Sequence, residues 1–397
     1  MNFIFISPNF PESFYHFCES LKRNGVNVLG IGDEYDDSLR PEVRESLNEY
    51  YHVNSLENYD EVYRAVAYYA HKYGKIDWLE SNNEYWLIQD AKLRDDFNIN
   101  TGIKSDDIAF IKYKSEMKKL YEKAGVKTAR YHLVDNYEDT KKFIDFVGYP
   151  VIVKPNNGVG ASNTFKLEND EDLNNYFNNK PDIEFVMEEF VNGDLVSYDG
   201  IANSKREVIY ETSHVFPRQI MNIVNDKIDF FYWSIRNIPN DLKEAGRKVI
   251  STFPSNSRAF HLEFFILKED KEGLGNKGDI IGLEVNMRTP GGNTPDMMNY
   301  AADINVYDIY ANMVCYDEAR IDSSNKKYYS VYAARRHEHN YLVPLGDIRA
   351  LYHDHIVAQY TNSKALSPAM GDDVLVARFE EREDIWPFIN AVVEGNK

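Results

Sequence analysis

The chain has 397 residues, too many for one typical core, and 43% of them are hydrophobic, which excludes wholesale disorder and predicts two or three domains. Its 45 basic against 64 acidic residues give a net charge of −19, which argues against a nucleic acid or an anionic membrane held by bulk electrostatics. Only Cys18 and Cys315 occur, far apart, so neither a disulfide framework nor a zinc site is supported, and both are expected as packing residues. The first run, MNFIFISPNFPE, lacks a basic segment and is too short for a signal peptide, and no stretch approaches a membrane span, so the protein is expected in the cytoplasm.

Strand and helix signals alternate over the first hundred residues. FIFIS from Phe3 reads as a buried strand, ESFYHFCESLKRNG as a helix stopped at Gly25, and VNVLGIG as a second strand. After a polar stretch come a helix ending at Gly74, the strand IDWLES and a helix from Glu84 to Phe97. That order predicts a doubly wound parallel sheet with Ser7, Pro8 and Asn9, and Ser81 to Glu84, at its carboxyl edge, where such sheets bind ligands. Ordinary helix caps are the other reading of both segments.

From Lys104 the pattern becomes α+β. A charged helix, SEMKKLYEKAG, precedes the strand ARYHLV, the helix DTKKFIDFVG and the run PVIVKPNNGVGASNTFKL from Pro150. In that run a strand ends in Lys154-Pro155 and a loop holds Gly158 and Gly160; loop glycines let backbone N–H groups approach phosphate oxygens, and a lysine at the strand end offsets their charge. This is neither the Rossmann fingerprint nor the P-loop pattern. A β-rich segment from Ser197 to Trp233 and a helix from Leu242 to Thr252 follow.

The next two apolar runs carry chemistry. AFHLEFFIL from Ala259 and DIIGLEVNMR from Asp279 read as a hairpin closed by KEDKEGLGNKGD. Strand alternation puts His261 and Glu263 on one face, and on the second strand it sets Gly282, Glu284, Asn286 and Arg288 opposite Ile281, Leu283, Val285 and Met287. Two carboxylates and an amide oxygen then converge, a set that suits Mg²⁺, which takes a few protein oxygens and leaves its other positions to water and phosphates. Gly291-Gly292 then form a turn whose N–H groups could meet a substrate carboxylate, before an amphipathic helix. Beyond Glu318, YYSVYAARRHEHNY and later runs suggest a small β-containing unit. FFYW from Phe230 reads as core or subunit contact, Arg335-Arg336 as solvated residues with a reach for an acidic substrate as the alternative, and His214 and His261 as structural hydrogen-bonders or general bases, His261 being the better base candidate.

In motif order from about Asn2 to Tyr316, the chain resembles the ATP-grasp superfamily, most closely its carboxylate–amine ligase branch. The resemblance implies that Lys114, in a Lys-x-x-Met pattern followed by an Ala-Gly-Val turn, and Lys154 contact nucleotide phosphates. It implies that Gly158, Val159, Gly160 and Ala161 form the loop that folds over them, with residues 156–162 closing. In FVMEEFVNGDLVSYDG it places Glu188 at the adenine amino group and the backbone of Glu189 and Val191 at the ring edge. Where the family has an acid for the ribose hydroxyls this chain has Leu195; either Asp194, one place earlier, takes that role or the ribose is held otherwise. Glu263, Glu284 and Asn286 match the magnesium ligands, and Arg288 the arginine facing phosphate and substrate.

The implied fold is α/β: an amino-terminal doubly wound domain (1–103), a small (104–196) and a large (197–318) ATP-grasp subdomain clamping ATP, and a carboxyl-terminal unit (319–397). The implied activity is an ADP-forming ligase that activates a carboxylate as an acyl phosphate and joins it to an amine, using ATP and Mg²⁺, with Mn²⁺ as the alternative metal. Carboxylase-like activation of bicarbonate and a non-catalytic nucleotide-binding regulator are the rival readings. The expected partners are small-molecule acids and amines, with a homodimer as a candidate assembly.

Overall fold

The computed structural model describes residues 1–158, 163–218, 227–322 and 327–395. Its first unit is a parallel sheet of order β3-β2-β1-β4, from β1 (Asn2–Ile6), β2 (Asn27–Gly32), β3 (Glu49–His52) and β4 (Trp78–Glu80). The near-continuous apolar runs of β1 and β2 are buried on both faces, as covered parallel strands require. One face packs the helix Tyr15–Arg23, the other the helix Tyr59–Tyr73. β3, sequence EYYH, lies in the stretch expected to be merely polar; each of its residues is only half-buried, so it carries no apolar run to announce it.

A second, antiparallel sheet has the order β5-β8-β6-β7, from β5 (Tyr131–Val134), β6 (Val151–Pro155), β7 (Phe165–Leu167) and β8 (Phe185–Glu189). Its outer face is covered by the helix Tyr137–Val147 and by Asp170–Asn179, a helix absent from the expectations. Both start with an asparagine whose side chain accepts a backbone N–H of the first turn, the capping arrangement that satisfies an otherwise unpaired donor.

The third sheet has nine strands. Its path runs β14-β13-β9-β11-β12-β15-β17-β16, with β10 paired to β9. These are β9 (Gly193–Ala202), β10 (Val208–Thr212), β11 (His214–Phe216), β12 (Phe230–Ser234), β13 (Arg258–Leu267), β14 (Ile280–Asn286), β15 (Tyr329–Arg335), β16 (Ile356–Thr361) and β17 (Asp373–Phe379). β12 pairs directly with β15, so the strands after residue 318 make no sheet of their own and extend the one that carries Glu263 and Glu284. The boundary expected at 196/197 likewise falls inside β9. On the back of β13 and β14, Phe260, Leu262, Phe264 and Val285 pack against Leu242, Val249 and Ile250 of the helix Asn240–Thr252 and Met117 and Tyr121 of the helix Lys114–Lys123. No helix among the described residues is long and apolar enough to cross a membrane.

Candidate active site

A cleft of about 380 Å³ opens between the small antiparallel sheet and the nine-stranded one. Its floor is the β13–β14 pair. Antiparallel register sets Glu263 opposite Glu284 and His261 opposite Asn286, so strand alternation delivers all four side chains to one face. The ladder then shifts: Phe264 faces Gly282, leaving Leu283 as the extra residue of a bulge. Leu283 therefore lines the cleft and Gly282 faces the core, the reverse of simple alternation. A Cβ on Gly282 would lie 2.4 Å from the Tyr121 ring, so only glycine lets the helix Lys114–Lys123 approach so closely.

Two carboxylates directly across a strand pair repel each other unless positive charge lies beside them. Lys114 Nζ lies 3.1 Å from Glu284 Oε1, and His261 Nε2 lies 3.1 Å from Glu263 Oε1. Among the described residues no group of three or more His, Cys, Asp and Glu is placed to hold a metal, so a zinc-type cage is not formed there. The donor set of two carboxylates and the Asn286 amide oxygen is hard and sparse, which fits Mg²⁺.

The opposite wall brings cations. Lys154, at the end of β6, places Nζ 2.9 Å from Glu188 Oε2, and Lys118, one helical turn beyond Lys114, lies 2.8 Å from Glu188 Oε1. Burial alone would raise the Glu188 pKa, but these two ammonium groups overcome it and hold the carboxyl at about 2. Burial opposes the charge of Lys154 too, yet the carboxylates of Glu188 and Glu284 raise its pKa on balance. Lys114 Nζ also donates to the Gly158 carbonyl at 3.2 Å. The Glu188 side chain, expected at an adenine amino group, is thus committed to two lysines. That of Glu189 is gripped by Arg130 through Nε (3.0 Å) and Nη2 (2.6 Å). Ile152, Phe190 and Val191 supply an apolar lining beside them.

Arg288 lines the cleft where β14 has ended, with Nε 3.3 Å from Glu84 Oε2 and Nη1 donating to the Thr289 carbonyl at 2.7 Å. Glu84 belongs to the segment at the carboxyl edge of the amino-terminal sheet and also holds Lys112 at 2.8 Å, so that unit reaches the site through this one carboxylate. Ser7 and Asn9, expected at the same edge, line a separate hollow with Glu12, Asp33 and Arg40.

Several expectations need correction. Asp194 does not face the cleft: alternation along β9 turns Leu195 inward and Asp194 outward, where it pairs with Lys268 at 2.7 Å. His261 is no free base. Its Nδ1 lies 2.5 Å from Asp199 Oδ1 and its Nε2 meets Glu263; although burial disfavours charge, Asp199 raises its pKa to about 9, so both nitrogens carry protons at neutral pH. His214, fully buried, shares Asp199 through Nδ1 at 2.7 Å. Arg335 and Arg336 are neither solvated nor in the cleft: Arg335 donates to the carbonyls of Val392 and Val343, and Arg336 to those of Ile228 and Pro368. Val159, Gly160 and Ala161 lie outside the described residues. Lys118, Glu84 as a partner of Arg288, and Asp199 were not singled out in advance. The i,i+4 spacing of Lys114 and Lys118 is a signal for the first; Asp199, in a buried run, had none.

Residues 111–252 match the family model of the ATP-grasp domain. That segment, and not the whole chain, is what the family model covers. Over 83 residues, 20% of this chain and 28% of the relative, it is 36% identical to D-alanine–D-alanine ligase B of Clostridium perfringens, so the match spans little more than a quarter of that enzyme. Over nearly the whole chain its fold is similar to that of solved ligases and synthetases. The L-amino acid ligase from Bacillus licheniformis superposes with a TM-score of 0.73 at 14% identity, over 98% of this chain and 96% of that one. N5-carboxyaminoimidazole synthetase from Staphylococcus aureus complexed with ADP gives 0.72 at 17%, with the same coverages.

Proposed function

We propose that the protein is an ATP-dependent ligase that phosphorylates a substrate carboxylate and joins the acyl group to an amine. The observation that carries this reading is the convergence of Lys114, Lys154 and Arg288, from three separate elements, on the acidic strip of Glu263 and Glu284 within one cleft. Phosphate oxygens entering there meet Lys114 and Lys154, which lie beside Glu284 and Glu188. Glu263, Glu284 and Asn286 are the residues to hold magnesium, which would supply positive charge next to the phosphates. Arg288, positioned by Glu84, faces the acid and the phosphoryl group in transfer.

A carboxylate is a poor electrophile. Attack of its oxygen on the terminal phosphorus breaks the bond to ADP and gives an acyl phosphate; the amine nitrogen then attacks the carbonyl carbon, and phosphate departs with the proton the amine gives up. The apolar walls of the cleft keep water from the intermediate. The products are therefore ADP and phosphate, and hydroxylamine traps the activated acid as a hydroxamate. Glu284→Gln, which trades a charged ligand for a weaker neutral one, is expected to lower turnover by at least about 100-fold without unfolding the chain. AMP and pyrophosphate as products, or near-normal turnover in a folded Glu284→Gln protein, would sink the reading. Bicarbonate-stimulated ADP release without any organic acid would favour the carboxylase-like alternative.

A further inference from the structure

Beyond the nucleotide strip the cleft changes character. β12 lies three strands from β13, about 14 Å at the usual ~4.8 Å spacing, and presents Phe230 and Tyr232 on the cleft face. Phe216 of β11 stacks on Tyr232 with ring centroids 5.1 Å apart, and the 366–370 segment closes the space with Leu366, Ala369 and Met370. Among the described residues, β11, β12 and this segment contribute no charged side chain to the cleft. The Tyr232 hydroxyl gives its proton to Thr294 Oγ1 at 2.8 Å, since Thr294 itself donates to the Gly291 carbonyl, so it has no proton left to donate to a group on the wall.

This apolar wall adjoins the polar turn after Arg288. Thr294, the partner of Tyr232, begins the helix that follows Gly291-Gly292, and Met370 Cε sits 2.7 Å from where a Cβ of Gly292 would be. The wall is also fixed in place: Tyr332 Oη donates to the Met370 carbonyl at 2.9 Å, Arg336 Nη2 to that of Pro368 at 2.9 Å, and Asn362 Nδ2 to that of Gly371 at 2.8 Å. With its backbone so held, the room available is set by side chains, above all Met370.

Resting on the ligase reading, we propose that the acid activated here carries an uncharged, apolar side chain, seated against Phe216, Phe230, Tyr232, Leu366 and Ala369, with Met370 setting its maximum length. A charged side chain placed there would lose its hydration and find no charged partner among the described residues of this wall. A methylene too many or too few costs roughly tenfold or more in discrimination.

The test varies only the acid. With ATP, magnesium and hydroxylamine as the common nucleophile, hydroxamate formation is measured for L-leucine, L-methionine, L-phenylalanine and isovalerate against L-aspartate, L-glutamate, L-lysine and L-serine, and binding of the same acids is measured by calorimetry with a non-hydrolysable ATP analogue. Apolar acids are expected to exceed charged ones at least about tenfold in kcat/KM and in affinity. Met370→Ala is expected to move the preference toward phenylalanine and Met370→Trp toward smaller acids; Ala369→Leu, which removes no atom from the wall, narrows it in the same sense as Met370→Trp. Preference for aspartate, glutamate or lysine, or size preferences unmoved by all three variants, would overturn the pocket assignment while leaving the ligase reading intact. Apolar acids that bind with Met370-dependent size selection but never yield ADP or hydroxamate would overturn the ligase reading while upholding the pocket.

Discussion

Glu188 shows how a single buried carboxylate can organise a site before any ligand arrives. It is 4% exposed, and its two oxygens face two lysines that would otherwise repel each other. Its carboxyl titrates near 2 in the folded chain against 4.5 as the ordinary value, so the unfolded chain takes up a proton first as pH falls. The associated stability is therefore fully present above about pH 4.5 and is lost on the way down to about pH 2, a difference on the order of 3 kcal/mol. Glu188→Gln is less stable at neutral pH, but its denaturation free energy should fall less steeply between pH 5 and 2. Urea titrations of both proteins across that range check this, and parallel curves would contradict it. Asp199 works in the same manner on the other strip: burial would raise its pKa, yet His261 and His214 hold it well below the usual range, and the resulting chain of contacts fixes the direction of Glu263.

At the scale of elements, β14 shows both the reach and the limit of reading by alternation. A period of two suffices to gather His261, Glu263, Glu284 and Asn286, because each sits at an alternate position and the pair is antiparallel. It misplaces Leu283 and Gly282, because a bulge inserts one residue and nothing in DIIGLEVNMR distinguishes that glycine from an ordinary strand residue. The reason for the glycine is tertiary: the Tyr121 ring, wedged between Phe253 and Phe264 at centroid distances of 5.4 and 6.5 Å, has nowhere to move. Gly282→Ala is accordingly expected to cost about 2 kcal/mol or more and to displace Glu284, raising the magnesium concentration needed for half-maximal activity. An unchanged denaturation midpoint together with an unchanged magnesium response would refute the packing argument. The same distinction explains the other misreadings. Asp194 follows from a motif offset by one residue, which in a strand selects the wrong face; Arg335 and Arg336 were read as surface residues because the carbonyls they bind, from Ile228 to Val392, come from distant segments no local pattern could supply.

At the scale of the whole molecule, the amino-terminal sheet is joined to the large one by a buried charge cluster. Glu80, at the end of β4, accepts from Arg94 and from Arg258 of β13, each at 2.9 Å, and all three are at most 2% exposed. Arg258 Nε also donates to the Met287 carbonyl at 2.8 Å, so this contact fixes the strand that carries His261 and Glu263 relative to the unit that supplies Glu84. One carboxylate serves two guanidinium groups, which makes the members unequal. Glu80→Gln removes the carboxylate that pairs directly with both buried arginines and is expected to cost about 3–5 kcal/mol, whereas Arg258→Met leaves the Arg94–Glu80 pair whole and should cost clearly less. Chemical denaturation of the two variants decides; an equal or larger loss for Arg258→Met would show that Glu80 is not the centre of the cluster.

The pairing of β12 with β15 also bears on the order in which the chain is made. Phe230 finds its partner at Ala334, and β15 in turn needs β17, which ends at Phe379. During synthesis the strands bearing Glu263 and Glu284 have left the ribosome while the far side of their sheet does not yet exist, and at roughly 5–20 residues per second the open edge of β12 waits several seconds for its neighbour. Throughout that interval its apolar face and unpaired backbone are available to any other strand. A nascent chain arrested near residue 320 should therefore recruit chaperones and aggregate when released, although it already contains every residue assigned here to nucleotide and metal.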